Sequence, residues 1–225
     1  MRKLCQQCSS EGKWLPTPIG AFEEFLSKFI AAGRGVPNVV ALRKNIAYNL
    51  QYLQFQKQVL LECGVTQVIT TQVWKVHIIV GTSIIEALLY YLLTSTGLHK
   101  TQKWEEVGKS SSENKFEGKD FRIENTYFRR PVKDNPQEMT LDWMIKKAES
   151  KKLLGSDHNI YKKLVYLRKL RNRVHIHAVN EDYDTDWLKI NKNEVDTVRN
   201  VLYMFFTSSL FKPSQTEKGY FEFLL

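Results

Sequence analysis

Apolar residues recur at intervals of three and four along most of the chain, the spacing that places them on one face of an α-helix. Glycines or capping residues bound these segments, and the pair Asn191 and Glu194 is typical of a helix N-terminus. The pattern predicts helices over residues 18–33, 38–63, 66–96, 140–154, from 158 to about 175, and from 191 to about 210. Because no internal repeat and no clear linker divides them, we predict an all-α helical bundle.

One predicted helix is apolar on nearly every side. Residues 76–93 are the most apolar stretch of the chain and approach the length of a membrane span. His77 and Glu86 lie inside this stretch, and ionisable side chains are unfavourable within a bilayer. We therefore predict a buried central helix here and expect no membrane partner.

Residues 98–136 interrupt the helical pattern with a polar, serine-containing segment. This length predicts a long loop or insertion, and the composition allows a small β element with short strands around residues 121–128. Aromatic residues alternate there with lysines and arginines, which is typical either of stacking on single-stranded RNA or of packing against protein. The predicted organisation is an N-terminal helical extension over residues 1–65 and a helical domain over residues 66–225 that carries the insertion.

The composition is that of a globular protein, since 43% of the 225 residues are hydrophobic and 25% are charged. Three cysteines are too few for a disulfide framework, which favours a reducing, cytoplasmic compartment. The first ten residues contain no apolar run, so we expect no signal peptide. Cys5 and Cys8 form half of a zinc site, but no second pair of cysteines or nearby histidines completes it. We therefore expect neither a metal nor a cofactor.

Basic residues are concentrated in one window of the chain. The formal net charge is +9, and residues 146–173 hold ten basic residues against Glu149 and Asp157. Such a segment is typical of a surface that binds a polyanion, with nucleic acid as the first choice, although solvated helix faces give the same pattern. The candidate RNA contacts are Lys146, Lys147, Lys151, Lys152, Arg168, Lys169 and Arg173.

Arg171 occupies an unusual position in its predicted helix. Ile160, Leu164 and Leu167 define an apolar stripe, and Arg171 lies at the next position along it. An arginine is almost never buried without a partner, so it must meet a carboxylate, carbonyl groups or a bound anion. Glu86 is the predicted partner, either as an acid that orients Arg171 or a histidine, or as half of a purely structural ion pair.

Residues suited to phosphate chemistry follow Arg171 directly. Arginine binds phosphate oxygens bidentately, Asn172 can donate a hydrogen bond, and His175 and His177 can transfer a proton near neutral pH. The candidate catalytic residues are therefore Arg171, Asn172, His175, His177 and Glu86.

The segment Leu170–His177 resembles the motif of HEPN domains, in which an arginine and a polar residue precede a histidine by a few positions. Five residues separate Arg171 from His177, within the family's spacing of four to six. The apolar segment 81–89 with its single acid, and the segment 141–148, also resemble helices of that family. The resemblance covers roughly residues 70–210.

The resemblance implies a function as well as a fold. Many HEPN proteins are metal-independent ribonucleases of toxin and phage-defence systems, in which two protomers bring their motifs into one cleft. The histidine would activate the ribose 2′-OH or protonate the leaving 5′-oxygen, and the arginine would hold the scissile phosphate. RNA, a second copy of the chain, and an antitoxin or other defence-system protein are the partners this implies. Other HEPN domains have lost catalysis and only bind RNA, nucleotides or partner proteins, and a structural or regulatory subunit is a third possibility.

Helix geometry alone does not choose between the two histidines. His175 is four residues after Arg171 and shares its face if the helix continues. His177 reaches Arg171 only if the helix ends or kinks near Val174. A second interpretation pairs Arg168 with His175, and a third makes the histidines caps of the helix C-terminus. We favour Arg171, Asn172 and His177, and keep His175 as the alternative.

Overall fold

The computed structural model describes residues 14–132, 136–177 and 181–225. The protein is mainly α-helical, with one two-stranded antiparallel sheet among the described residues. Its helices are α1 (Ile19–Ser27), α2 (Val39–Glu62), α3 (Gln67–Ser95), α4 (Leu141–Ser150), α5 (His158–Arg171), α6 (Asp186–Lys189), α7 (Lys192–Thr207) and α8 (Gln215–Gly219). Its strands are β1 (Glu105–Phe116) and β2 (Lys119–Arg129), and 3₁₀ turns cover Asn172–Val174 and Glu222–Leu224.

The predicted helix starts agree with the structure where capping residues mark them. The Asp157 carboxylate accepts a hydrogen bond from the Asn159 N–H at 2.9 Å and begins α5. The Asn191 side chain accepts from Asn193 N–H at 2.8 Å, while Glu194 accepts from Asn191 N–H at 3.0 Å. These bonds satisfy N–H groups that lack partners within the helix, so the predicted cap of α7 is confirmed.

Several predicted helix ends are wrong. The helix predicted over residues 140–154 ends at Ser150, and residues 151–154 form turns. The first helix ends at Ser27 rather than residue 33, because the chain turns before Gly33, whose φ is +81°. The last predicted helix ends at Thr207, so Leu210 lies in the turns beyond α7 rather than on its face. Phe211 is buried all the same, since apolar residues of a turn can pack into the core.

Helix α3 is the central helix that its composition predicts. It packs against α2, α4, α5, α6 and α7. Among the described residues it is also the one helix long and apolar enough to cross a membrane, but 61% of its most apolar window is buried inside the protein. A mostly buried apolar helix is typical of the core of a soluble protein.

Aromatic rings join α1 to the end of the chain. Phe25 stacks on Phe211 with ring centroids 5.1 Å apart, and Phe206 stacks on Phe221 at 4.6 Å. All four rings are buried, and each buried aromatic ring removes a large apolar area from water. Helices α1 to α3 and α4 to α8 accordingly fall within one compact unit.

Helices α3 and α7 approach each other closely at Gly81. A Cβ atom at this position would lie 2.7 Å from Val198 Cγ2 and 3.3 Å from Leu202 Cδ1, so α3 meets α7 without room for a side chain. We expect Gly81→Ala to lower the free energy of unfolding by about 1–2 kcal/mol, because overpacking outweighs the gain in helix propensity.

Urea unfolding measures the effect of Gly81→Ala. The matched control is Gly20→Ala in α1, where nothing lies within 4 Å of the added atom. This control should be neutral or stabilising by up to about 1 kcal/mol. The Gly81→Ala/Val198→Ala double variant should lose less free energy of unfolding than its two single variants lose together, because the shorter side chain at residue 198 makes room for the added methyl group. A stabilised Gly81→Ala protein would contradict the close approach.

The segment Leu98–Met139 forms a second compact unit built on a β-hairpin. Its strands are joined by Glu117 and Gly118, whose φ angles of +52° and +72° make a two-residue turn that matches strand twist. The prediction of strands near residues 121–128 is confirmed by β2, but both strands are long rather than short. Strand β1 was missed because its polar, serine-rich sequence has no apolar alternation.

Candidate active site

The end of α5 sets the geometry of the candidate motif. The α-helix ends at Arg171, the 3₁₀ turn covers residues 172–174, and His175 is extended with φ −82° and ψ 96°. The prediction that this helix runs to about residue 175 is therefore wrong by about four residues. Because the α-helix stops at Arg171, His175 does not continue the helix face on which Arg171 lies. The break falls near Val174, as our preferred assignment of His177 requires.

The predicted pair of Arg171 and Glu86 is present. Arg171 Nη2 donates a hydrogen bond to Glu86 Oε2 at 3.0 Å and links α5 to α3. The predicted burial is wrong, since the two side chains are 36% and 27% exposed. Leu170, three residues after Leu167, takes the core position instead, and Arg171 lies at the rim.

The exposure of the pair matters for its chemistry. A guanidinium carries five N–H donors, and the bond to Glu86 leaves others able to meet an anion. A carboxylate on one side of the group also fixes its orientation. The arrangement is compatible with Glu86 as a positioning residue and Arg171 as the group that would bind phosphate.

The exposure also lowers the contribution that the ion pair of Glu86 and Arg171 is expected to make to the free energy of unfolding. We expect Glu86→Leu to reduce the free energy of unfolding by about 1–2 kcal/mol, between the values typical of exposed and buried pairs. The melting temperature should then fall by about 2–8 °C, measured by differential scanning calorimetry. Glu86→Leu/Arg171→Met should recover most of the loss. If the double variant loses as much free energy of unfolding as the two single variants lose together, Glu86 and Arg171 do not stabilise each other.

Arg173 belongs to a different and more buried cluster of charges. Its Nη1 donates to Asp184 Oδ1 at 2.8 Å, its Nη2 donates to the Asp184 carbonyl at 3.1 Å, and its Nε donates to Asp186 Oδ1 at 3.4 Å. Lys75 of α3 donates to the other oxygen of Asp186 at 2.7 Å. Burial alone would raise the pKa of Asp186, but the hydrogen bonds and charges of Lys75 and Arg173 lower it.

This cluster changes the role assigned to Arg173. The side chains of Arg173 and Asp184 are 18% and 6% exposed, so the guanidinium is largely enclosed by carboxylates of its own chain. We therefore assign Arg173 a structural role instead of the predicted RNA contact. Lys75 and the two aspartates were missed because their partners are far apart in sequence, and local patterns carry no signal of such pairs.

The two histidines lie beside this cluster on the surface. His175 and His177 are both exposed, and their ring centroids are 6.0 Å apart. His175 also lines a small cavity of about 180 Å³ together with Arg173 and Asp186. Asn172 is exposed in the 3₁₀ turn. The structure thus brings Arg171 to Glu86 and His175 to His177, and it leaves both imidazoles accessible to a bound phosphodiester.

Part of the predicted basic surface is neutralised within the fold. Asp142 of α4 accepts from Lys146 at 2.7 Å and lies 3.2 Å from Arg168 Nη2, and these contacts lower the pKa of Asp142. Lys147 lies 6.0 Å from the centre of the Trp143 ring. Lys151, Lys152 and Lys169 are exposed, as are Lys162 and Lys163, so the lysines supply the open cationic surface.

The hairpin carries the predicted combination of aromatic and basic residues. Phe121, Ile123 and Tyr127 share one face of β2, opposite small or polar residues of β1, and each is about half exposed. Arg130 lies 5.3 Å from the centre of the Trp104 ring, and Arg129 pairs with Glu105. This arrangement is compatible with RNA stacking and with packing against protein.

The described residues contain no group of three or more His, Cys, Asp or Glu side chains that could hold a metal ion. Cys5 and Cys8 lie outside the described residues, so the expectation that they bind no zinc stays a prediction from the sequence. Comparison with protein families, curated proteins and solved structures found no match to this chain, and the candidate site therefore rests on its own residues and geometry.

Proposed function

We propose that the chain is a metal-independent endoribonuclease of the HEPN type, acting as a toxin or phage-defence effector in the cytoplasm. The observation that carries the proposal is the end of α5. A half-exposed arginine, oriented by Glu86, is followed at once by a break in the helix and by Asn172, His175 and His177 on the surface. These residue types can supply the proton transfers and the charge stabilisation that cleavage of a phosphodiester without a metal uses.

The proposed reaction is an internal displacement at phosphorus. One histidine, His177 in our preferred assignment, removes the proton from the ribose 2′-OH, and the 2′-oxygen attacks the adjacent phosphorus. Arg171 stabilises the negative charge that develops on the phosphoryl oxygens. A second imidazole protonates the departing 5′-oxygen, so the products carry a 2′,3′-cyclic phosphate and a 5′-hydroxyl. The second imidazole comes from the motif of a partner protomer, or from His175.

The test is cleavage of mixed RNA by purified protein in excess EDTA. Wild-type protein should produce fragments with cyclic phosphate ends, and the Arg171→Ala/His177→Ala variant should be at least 100-fold slower. The matched control is Arg34→Ala/His158→Ala, which makes the same chemical changes at exposed positions away from the motif. Inactive wild-type protein, or full activity in the motif variant, would overturn the proposal.

The second candidate is a non-catalytic module that binds RNA or a partner protein, such as an antitoxin. The specific observation in its favour is the distribution of charge: Arg168, Arg171 and Arg173 already face carboxylates of their own chain, while the lysines remain open. RNA binding without cleavage in the same assay would select this candidate.

RNA binding should depend on the exposed lysines of this surface. We expect reversal of Lys151, Lys152 and Lys169 to Glu to weaken RNA binding at least tenfold and to reduce the slope of log affinity against log salt by about 2. The matched control reverses Lys44, Lys189 and Lys212, which are equally exposed. Lys152 and Lys212 each have a positive φ, so the backbone demands are also matched. Equal loss in both variants would show a general charge effect rather than a binding surface.

A further inference from the structure

The β-hairpin has an open edge along β1. The sheet that the described residues form has two strands, so β1 pairs with β2 on one side and with no described strand on the other. No main-chain hydrogen bond joins Glu105–Phe116 to any other described segment, and most residues of β1 are exposed. A two-stranded hairpin alone is marginally stable in water, and the unpaired main-chain groups along such an edge can pair with a further strand.

The charges of the hairpin disfavour a polyanion at this edge. Residues 105–129 hold six acidic and five basic side chains. Four of the five basic side chains face a carboxylate of the hairpin itself, in the pairs Lys109–Glu106, Lys115–Asp120, Arg122–Glu124 and Arg129–Glu105. Nucleic acid binds to cations that can neutralise its phosphates. A protein strand therefore fits this edge better than RNA does.

The turn of the hairpin fixes which main-chain groups line the open edge. Phe116 pairs with Lys119 across the two-residue turn, so the N–H and C=O groups of Phe116 point to β2. Along an antiparallel strand these groups alternate in direction from one residue to the next. The groups of Lys109, Ser111 and Glu113 therefore point away from β2. A strand that joins this edge must place its own outward-pointing residues opposite these three.

A second copy of β1 meets this condition in an antiparallel register centred on Ser111. Ser111 then lies opposite the partner's Ser111, and Lys109 lies opposite the partner's Glu113 in two symmetric pairs. Opposite charges that face each other across two strands are favourable, and like charges are unfavourable. A register centred on Ser112 would set Lys109 opposite the partner's Lys115, and one centred on Ser110 would set it opposite a serine. The charges of β1 thus select one register.

We propose that β1 pairs with β1 of a second copy in this register and joins two hairpins into one four-stranded antiparallel sheet. Glu113 is exposed and has no ion pair among the described residues, so the partner's Lys109 supplies its counter-ion. Residues 110–112 are serines, whose small side chains do not obstruct the approach of the strands. The contact belongs to the hairpin and not to the motif at the end of α5. It therefore does not rest on the proposed ribonuclease activity.

Zero-length cross-linking of the wild-type protein tests the register. A carbodiimide joins a lysine amine to a carboxylate that it touches. Within one extended strand Lys109 and Glu113 are about 13 Å apart, whereas they touch across the proposed pairing. Mass spectrometry of the cross-linked dimer should therefore find a bond between Lys109 and Glu113. A cross-linked dimer without this bond, or the absence of any cross-linked dimer, would overturn the proposal.

Disulfide formation measures the same register by a second route. In a Cys5→Ser/Cys8→Ser/Cys63→Ser background, Ser111→Cys should form a disulfide-linked dimer in a glutathione buffer. Residues that exchange hydrogen bonds across antiparallel strands have Cα atoms about 5.5 Å apart, which suits a disulfide. The matched control is Ser112→Cys, whose two copies would lie diagonally, about 7–8 Å apart, and should link at least tenfold more slowly. Equal rates for the two variants would contradict the register.

Charge reversal separates the strand pairing from any other contact between copies. In the Ser111→Cys protein, Lys109→Glu and Glu113→Lys should each slow disulfide formation at least tenfold, because each sets like charges opposite one another. Lys109→Glu/Glu113→Lys should restore the rate, since it exchanges the charges of both pairs. Thermal unfolding should be unchanged in all three, because the altered side chains are exposed. Single reversals without effect, or a double variant as slow as the single variants, would overturn the proposal.

Discussion

RNA cleavage per wild-type protomer should fall about tenfold when the protein is co-expressed with a ninefold excess of the Arg171→Ala/His177→Ala chain. One protomer offers a single Arg171 and a single His177, whereas the proposed reaction uses a proton acceptor and a proton donor on opposite sides of the phosphate. A two-fold axis through the motif supplies both from one sequence. With random pairing, about one wild-type protomer in ten then meets a wild-type partner.

Different affinity tags on the two chains allow the wild-type fraction to be measured directly. Light scattering of the active species should give a mass close to twice 26.3 kDa. The control is the same excess of the Arg34→Ala/His158→Ala chain, whose own motif is intact and whose presence should raise total activity in proportion. If the activity per wild-type protomer stays constant as the excess of the Arg171→Ala/His177→Ala chain increases, each chain cleaves alone, with His175 as the second imidazole.

Acid should destabilise the protein through His77. Burial, and then the charges of Arg199 and Lys57, lower the pKa of His77 from 6.5 to about 3. The unfolded chain therefore binds a proton below pH 6.5 that the folded protein does not bind. The stability from this residue is fully present above pH 6.5 and is lost progressively as the pH falls toward 3. Between pH 7 and pH 4 the loss should be about 3 kcal/mol.

The variant His77→Gln isolates this contribution, because glutamine can accept the Arg199 hydrogen bond but does not titrate. Urea unfolding at pH 7, 5.5 and 4 gives the free energy of unfolding of both proteins. The value for wild type minus the value for His77→Gln should decrease by about 3 kcal/mol between pH 7 and pH 4. The matched control is His158→Gln, which makes the same change at a histidine whose side chain is 65% exposed. A constant difference between wild type and His77→Gln would mean that His77 has an ordinary pKa.

Helix existence was predictable from the sequence because it depends on local signals. Apolar spacing identified α4, whose predicted face of Leu141, Met144, Ile145 and Ala148 is entirely buried. Helix ends were less predictable, since several residues after a periodic segment are compatible with either continuation or a turn. The strand β1 left no local signal at all, because its partner β2 and not its own sequence holds it extended.

In the candidate site, too, local sequence signals predicted some features, whereas others depend on contacts between residues far apart in the sequence. The stripe of α5 could continue either to Leu170 or to Arg171, and only the packing against the other helices chose Leu170. The pairing of Arg171 with Glu86 was predictable because charges in apolar surroundings need partners. The ion pair of Lys75 with Asp186 spans 111 residues, and its formation depends on the fold rather than on a motif.

The contacts of Arg173 with Asp184 have a consequence for the segment between them. Because Arg173 and Asp184 touch at 2.8 Å, both histidines lie on a chain segment whose two ends are fastened together, outside the helical framework. Fastening the ends lowers the conformational entropy of such a segment by an amount that changes only slowly with its length. A longer segment here would therefore move the imidazoles at little entropic cost while α5 and α7 keep their places.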